Sequence, residues 1–158
     1  MFPPPQYPAI GWREWACLPA LGVPALKAKL DTGARTSALH ICWLHAFQQQ
    51  DQTWVRFHLH PLRNDTRLYV GQAPAIDRRW VTDSGGHREQ RWIITTTLQL
   101  GAQCWDIELS LTARDNLQFR LLLGRTALQG RFLIDPALSY HLGRPQPHYS
   151  HENRHSFP

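Results

Sequence analysis

The feature that most constrains the fold of this chain is a two-residue alternation of apolar and polar side chains. It is clearest in residues 53–60, where every second side chain is apolar: Val55, Phe57 and Leu59. Such alternation is typical of a strand with one buried face, because successive side chains of a strand point to opposite sides. Glycine and proline interrupt the pattern repeatedly, which indicates short strands joined by turns. The sequence therefore predicts a mostly β fold, a closed β-barrel or a sandwich.

Two hairpins follow from the same pattern. Residues 78–94 contain two candidate strands around Ser84-Gly85-Gly86, and glycine readily adopts the positive φ of a tight turn. Residues 92–100 and 104–111 form a second predicted hairpin across Gly101. Near the end of the chain, we predict one short helix at 126–129 and a last strand at 132–134.

The length of 158 residues fits one domain with one core. We assign residues 10–142 to that domain, residues 1–9 to a loose leader and residues 143–158 to a disordered tail rich in Pro, His, Asn and Ser. The chain contains no run near the roughly 20 apolar residues that cross a bilayer, and its start lacks the features of a signal peptide. We therefore expect a cytoplasmic protein without a membrane partner.

The chain carries a formal charge of +5, almost all of the positive charge being arginine, since Lys27 and Lys29 are the only lysines. A basic chain can bind nucleic acid, attract an acidic polypeptide or have no charged partner. The arginines are scattered from Arg13 to Arg154, without a dense basic run or a stacking motif. We therefore expect no nucleic-acid partner, and the other two interpretations stay open.

The segment Leu30-Asp31-Thr32-Gly33 is the most informative about chemistry. It places an acidic residue directly after an apolar strand, where a carboxylate projects into a cleft instead of the core. Thr32 can brace the loop against a symmetry mate with its hydroxyl group. Gly33 permits a tight turn that brings backbone N–H groups close to the carboxylate. The pattern predicts a catalytic loop formed by Asp31, Thr32 and Gly33.

Peptide hydrolysis by carboxylates needs a pair of them, because two carboxyl groups about 3 Å apart share one proton and divide the roles of base and acid. The chain contains a single Asp-Thr-Gly. A homodimer with a two-fold axis would bring the second Asp31. The alternative from the same observation is a non-catalytic peptide-binding module.

A second segment extends this pattern. Leu123-Gly124-Arg125 follows an apolar run and precedes the predicted helix. Together with the Asp31 segment, it resembles the retropepsin-like aspartic proteases. The resemblance implies a closed acid-protease β-barrel with one short helix, in which the apolar strand lies beside the catalytic loop and Gly124 and Arg125 have structural roles near the site.

The same resemblance implies a flap hairpin over the cleft, and Ser84, Gly85 and Gly86 are our candidates for its tip. Arg88 and Arg91, near this hairpin, are candidate contacts for a substrate carboxylate. Arg35 stands where viral relatives often carry an acidic residue. It either recruits an acidic substrate or is a surface charge, and both interpretations stay open.

From about residue 10 to residue 139, the chain also resembles a bacterial family named ATP-dependent zinc proteases. Its members are often encoded with, or fused to, ATP-grasp glutamate ligases (RimK-type) that modify a ribosomal protein. This resemblance implies an aspartic-type peptidase that trims glutamate tails, with an acidic polypeptide as substrate and a glutamate ligase as partner. The chain has no Gly-rich phosphate loop, so ATP would be hydrolysed by the partner.

The zinc in that family name requires a separate test on the sequence. His151, Glu152 and His155 match His-Glu-x-x-His, which binds zinc when both histidines share one face of a helix. Here the match lies in the polar tail, without an apolar helical stripe or a third ligand. We therefore predict neither a metal site nor a cofactor, and a zinc-dependent peptidase is kept only as an alternative.

Overall fold

The computed structural model describes residues 6–113 and 118–145. In this part of the chain, eleven strands and one short helix follow one another: β1 (Ala9–Gly11), β2 (Arg13–Leu18), β3 (Val23–Leu30), β4 (Ser37–His40), β5 (Trp43–Gln49), β6 (Gln52–Leu59), β7 (Tyr69–Thr82), β8 (Arg88–Leu100), β9 (Gln103–Thr112), β10 (Leu121–Leu123), α1 (Arg125–Leu128) and β11 (Leu133–Asp135). The prediction of a mostly β fold with one short helix is confirmed. No helix in the described ranges is long and apolar enough to cross a bilayer.

Nine of the strands form one sheet, in the order β2-β3-β10-β4-β9-β8-β7-β6-β5. The sheet bends into a ring because β2 also pairs with β8, at Cys17 and Gln99. Closure thus depends on one registered pair, so the ring is less complete than the full ladder of a barrel. β1 and β11 form a separate parallel pair.

Both predicted hairpins are present. β7 and β8 are antiparallel from Asp77 to Thr82, and the turn between them contains Gly86 with φ of 82°. β8 and β9 are antiparallel across Gly101. One element differs from our expectation. β7 starts at Tyr69 and runs for 14 residues, because a bulge near Ile76 lets one strand pair first with β6 and then with β8.

The core lies inside the ring and extends under β5 and β6. The alternating residues Val55, Phe57 and Leu59 of β6 are fully buried there. Removal of such side chains from water is the main stabilising contribution, at roughly 25 cal/mol per Å² of apolar surface. The alternation predicted from the sequence is therefore the pattern by which β6 packs onto the core.

A buried carboxylate attaches the end of the described chain to β2. Glu14 is fully buried, and its side chain accepts hydrogen bonds from the backbone N–H groups of Gly11 (2.6 Å), His141 (3.1 Å) and Leu142 (3.0 Å). These bonds replace the water that the carboxylate loses on burial. Residues around Tyr140 are thereby held against β2. The boundaries of the leader and the tail stay a prediction, although Ala9 already pairs with Leu133.

Candidate functional site

The Asp31 loop begins where β3 ends. The backbone N–H of Asp31 donates to the carbonyl oxygen of Leu123 at 2.8 Å, which joins the loop to β10. The N–H of Gly33 donates to Oδ1 of the Asp31 carboxylate at 2.9 Å, and the N–H of Ala34 donates to the Asp31 carbonyl at 3.1 Å. A tight turn thus holds the carboxylate in one orientation at the end of a rigid strand.

β10 lies parallel to β3, with Leu123 opposite Leu30, and the chain then passes under the Asp31 loop. A Cβ atom on Gly124 would lie 2.5 Å from the carbonyl oxygen of Thr36, closer than real Cβ atoms approach backbone. Glycine is therefore required at this crossing by lack of space. The backbone N–H of Gly124 donates to the buried hydroxyl of Ser37 at 3.0 Å, which completes the crossing.

Arg125 and Thr126 support the loop from the start of α1. Arg125 donates from Nη1 to the carbonyl oxygen of Thr32 at 3.0 Å and from its backbone N–H to Ala34 at 2.8 Å. The backbone N–H and Oγ1 of Thr126 both donate to the carbonyl oxygen of Arg35, at 3.1 and 2.9 Å. Arg125 thus stabilises the backbone of the loop. The resemblance implied a structural role near the site for this residue.

The hairpin of β7 and β8 forms the opposite side of the site. In its turn, the carboxylate Oδ1 of Asp83 accepts hydrogen bonds from the N–H groups of Gly85 and His87, both at 2.9 Å. This turn gives the hairpin a defined tip at Ser84, Gly85 and Gly86. Arg88 lies on the hairpin with its guanidinium 4.7 Å from the centre of the Trp80 ring, so it packs on a neighbouring strand residue.

A cleft of about 1180 Å³ separates the Asp31 loop from the hairpin. Five of the residues predicted for the site line it: Asp31, Gly33, Arg35, Ser84 and Arg91. The other predicted residues do not line the cleft but belong to the Asp31 loop, the hairpin and the segment before and at the start of α1: Thr32, Gly85, Gly86, Arg88, Gly124 and Arg125. One cleft therefore brings the Asp31 loop and the candidate flap together.

The two arginines in this cleft differ in their surroundings. Arg91 is buried: its Nε donates to Glu89 at 2.6 Å and its Nη1 donates to the hydroxyl of Ser110 at 3.3 Å. Glu89 in turn accepts a hydrogen bond from Thr112 at 2.5 Å. Arg91 is thus part of the hydrogen-bonded frame of the sheet, whereas Arg35 is exposed at the cleft. Of the two, Arg35 has the freer guanidinium for a substrate.

Sequence reasoning missed a charged group on the cleft wall. Arg79 donates from Nε to Asp77 at 2.7 Å and from Nη1 to Glu108 of β9 at 3.0 Å. The hydrogen bond from Arg79 lowers the pKa of the Asp77 carboxyl group, and the hydrogen bond to Glu108 raises the pKa of Arg79. Asp106 and Glu108 alternate with buried or half-buried residues in β9, so the sequence of this strand could have predicted a charged face on the cleft wall.

The described residues contain no group of three or more His, Cys, Asp or Glu side chains that could hold a metal ion. Two histidines of β6 and the residue after it have non-metal contacts: the centre of the His58 ring lies 4.4 Å from that of Trp43, and His60 Nδ1 lies 2.9 Å from the carbonyl oxygen of Arg67. The predicted alternative at His151, Glu152 and His155 lies outside the described residues. This part of the chain thus offers no ligand set for zinc, and no step below uses one.

Comparison with known proteins bears on this geometry. A family model described as "RimB-like: Retropepsin-like aspartic endopeptidase RimB" matches residues 9–145. A protein of Desulfotalea psychrophila named "Probable alpha-L-glutamate ligase" is 48% identical over 135 residues, and one of the same name from Shewanella pealeana is 43% identical. Each match covers 85% of this chain but only 29% and 30% of those proteins, so the chain spans less than a third of their length.

A solved structure has the same fold. The crystal structure of a Legionella pneumophila protein of unknown function superposes with a TM-score of 0.73 at 26% sequence identity. The match covers 87% of this chain and 99% of that one. The fold described above is therefore found in a solved structure over nearly its whole length.

Proposed function

This chain belongs to the RimB-like family of retropepsin-like aspartic endopeptidases, and from that membership we propose that it is an aspartic peptidase that acts as a homodimer. The observation that carries the proposal is the Asp31 carboxylate, oriented by the Gly33 N–H at 2.9 Å and facing a cleft bounded by a hairpin. This chain contributes one such carboxylate, and its copy across a two-fold axis contributes the other.

The pair of carboxyl groups would work with one shared proton. The ionised Asp31 removes a proton from a water molecule, whose oxygen forms a bond to the carbonyl carbon of the substrate. The protonated Asp31 gives its proton to the carbonyl oxygen. A proton then passes from one carboxyl group to the amide nitrogen. The C–N bond breaks as a hydroxyl group of the tetrahedral intermediate returns a proton to a carboxylate, so that a carboxylic acid and an amine leave and the pair again holds one proton. The Gly33 N–H helps because it keeps the carboxylate in one orientation for both transfers.

We propose an acidic polypeptide, in particular the glutamate tail of a ribosomal protein, as the substrate. Two observations support this choice: relatives that contain the matched region are named glutamate ligases, and Arg35 is exposed at the cleft. Because the matched region is only part of those longer proteins, a glutamate ligase that extends the same tail is the partner that we propose. We propose that the protein acts in the cytoplasm, because it would encounter such a partner and a ribosomal protein there.

The test compares wild type with Asp31→Asn on a glutamate-tailed protein. We expect a loss of at least about 10³-fold in kcat, because the pair can no longer divide the roles of base and acid. Asp51→Asn is the control, since Asp51 is exposed in the β5–β6 turn and asparagine tolerates its φ of 60°. If Asp31→Asn stays active, the mechanism is wrong; if wild type binds the tail without cleavage, the chain is a binding module.

The same variant tests the homodimer. When wild type is mixed with an equal amount of Asp31→Asn and allowed to exchange subunits, the activity should fall to roughly half of its value before exchange. The reason is that half of the wild-type subunits then belong to mixed dimers, which have one functional carboxylate. Specific activity should also fall on dilution, together with the sedimentation coefficient. Full activity in the mixture, or in a monomer, would show that one chain suffices. Activity that survives a chelator would leave the zinc alternative without support.

A further inference from the structure

A second cleft, of about 720 Å³, lies away from the Asp31 loop, where β2, β3, the 61–66 loop and the segment around Tyr140 meet. Its charge is strongly one-sided. Five of its lining side chains are cationic: Arg13, Lys27, Arg63, Arg120 and Arg144. Asp65 is the one carboxylate among the described lining residues, and it is bound to Arg67 at 3.2 Å. We call this the basic cleft.

Aromatic rings hold the cations of the basic cleft in place. The ammonium of Lys27 lies 5.3 Å from the centre of the Trp15 ring and 5.7 Å from that of Tyr140. The guanidinium of Arg144 lies 4.8 Å from Trp15, and that of Arg13 lies 4.8 Å from Tyr140. Such contacts orient a cation without neutralising it, unlike an ion pair. The positive charge therefore stays available to a ligand.

The cleft between the Asp31 loop and the hairpin, which we call the catalytic cleft after its proposed function, has the opposite property. Its lining holds three arginines against four carboxylates, the latter being Asp31, Asp83, Asp106 and Glu108. Arg79 and Arg91 are moreover bound to carboxylates of the chain itself, at 2.7 and 2.6 Å. Apart from the exposed Arg35, this balanced charge attracts a strongly anionic polypeptide little, so a second, basic surface would add to the attraction.

We propose that the basic cleft binds an acidic segment of a polypeptide and so holds the substrate outside the catalytic cleft. The ligand is a run of carboxylates rather than a nucleic acid, because each of the two large rings, Trp15 and Tyr140, already carries two cations of this chain. Rings in that state offer little face for stacked bases, which is what single-stranded nucleic acid needs.

The path between the two clefts is short. Lys27 stands four residues before Asp31, and at the rise of an extended chain this is roughly 13 Å. An acidic segment held at Lys27 therefore keeps the rest of its chain near the catalytic loop. Binding at the basic cleft does not depend on catalysis; only its use for a substrate rests on the proposed function.

The experiment measures binding of a fluorescein-labelled peptide of glutamates to the full chain with Asp31→Asn, which prevents cleavage. In that background, we compare Lys27→Ala with Lys29→Ala. Both lysines are exposed on β3, but only Lys27 lines the basic cleft. We expect Lys27→Ala to raise Kd about fivefold, as for one carboxylate contact of about 1 kcal/mol, and Lys29→Ala to change it less than twofold. Any binding of the peptide in the catalytic cleft contributes equally to the Kd values of the two variants, because neither lysine lines that cleft.

Three results would overturn the inference. Equal effects of the two substitutions would mean diffuse attraction by net charge. Arg63→Ala is a second variant of the basic cleft. If the peptide does not bind, or if Lys27→Ala and Arg63→Ala both leave Kd unchanged, the basic cleft does not bind an acidic segment. Tighter binding of single-stranded RNA, with the same dependence on Lys27, would make this a nucleic-acid site. Melting temperatures of all variants show that each is folded, and cleavage by wild type, measured separately, decides the proposed function.

Discussion

The catalytic cleft and the basic cleft contain the same types of charged side chain, but the charges are used differently. In the catalytic cleft, Arg79 is bound to Asp77 of its own strand and to Glu108 of β9. Arg91 is bound to Glu89 of its own strand, so the charges of both arginines stabilise the cleft wall. In the basic cleft, Lys27 and Arg144 are held by rings and keep their charge for a ligand. The difference suggests a division of labour in which one cleft supplies rigid geometry and the other supplies attraction.

The largest effect that would sharpen this comparison is expected from Gly124→Ala. The new methyl group would lie 2.5 Å from the Thr36 carbonyl, so β10 and the Asp31 loop must separate. We expect a loss of about 3 kcal/mol in the free energy of unfolding, together with most of the activity. The Kd of the glutamate peptide for the folded fraction of the variant should not change.

Urea unfolding measures this loss, with Gly85→Ala as the control. At Gly85, the nearest atom to a new methyl group is the flexible imidazole of His87 at 3.2 Å, so the cost should stay under about 1 kcal/mol. Equal destabilisation by both substitutions would mean that the crossing at Gly124 is no tighter than a surface turn.

A smaller effect on stability, directed at the basic cleft, is expected from Glu14→Gln. The amide keeps one acceptor oxygen and places N–H groups against a backbone donor, which leaves a partly buried N–H such as that of Leu142 without a partner. We expect a cost of about 2 kcal/mol and weaker binding of the glutamate peptide, because Tyr140 and Arg144 lie on either side of the segment that Glu14 holds.

Cleavage of a short neutral peptide should be unchanged in Glu14→Gln, which separates the basic cleft from the catalytic one. Asp106→Asn serves as the control for stability, since Asp106 is exposed and makes one hydrogen bond, with Thr97 at 2.8 Å. Loss of activity on short peptides in Glu14→Gln would show that the two clefts are coupled through β2.

The smallest effect concerns the charge balance of the catalytic wall. Arg79 lowers the pKa of Asp77 from 3.8, so the ionised carboxylate stabilises the folded state above that pH, and the contribution disappears as the pH falls through the lowered pKa. Asp77→Asn should therefore be slightly less stable than wild type at neutral pH. The two proteins should become equal in urea unfolding as the pH falls well below 3.8; a gap that persists in acid would assign the effect to packing.

Much of the fold was accessible from the sequence because its signals are local. The alternation of Val55, Phe57 and Leu59 correctly predicted a half-buried strand, and Gly86 and Gly101 marked two hairpins that the structure contains. The single long strand β7 was not accessible, because the bulge near Ile76 depends on which neighbours the strand pairs with. Local patterns determine the state of a segment, but its partners are chosen by packing.

The same division applies to the candidate site. The sequence placed Asp31 at a strand end, because that position follows from the backbone demands of a few consecutive residues. The place of Gly124 beside the loop was implied by the resemblance, and its close approach to Thr36 depends on the tertiary structure. It could not separate the arginines by role: Arg91, proposed for substrate, lies in the frame with Glu89 and Ser110, while Arg35 is exposed. The surroundings in the folded sheet decide between these states: Ser110 lies on β9, which pairs with the strand of Arg91.

By itself, the sequence determined which segments become strands, where the chain turns, and where an acidic residue is set in a tight loop, because each depends on side chains only a few positions apart. Only the tertiary structure decided which charges meet. Arg13, Lys27, Arg63 and Arg144 are scattered along the chain, and the closure of the sheet gathers them into one basic cleft. Electrostatic attraction depends on distance in space, and that distance is defined only once the strands have paired.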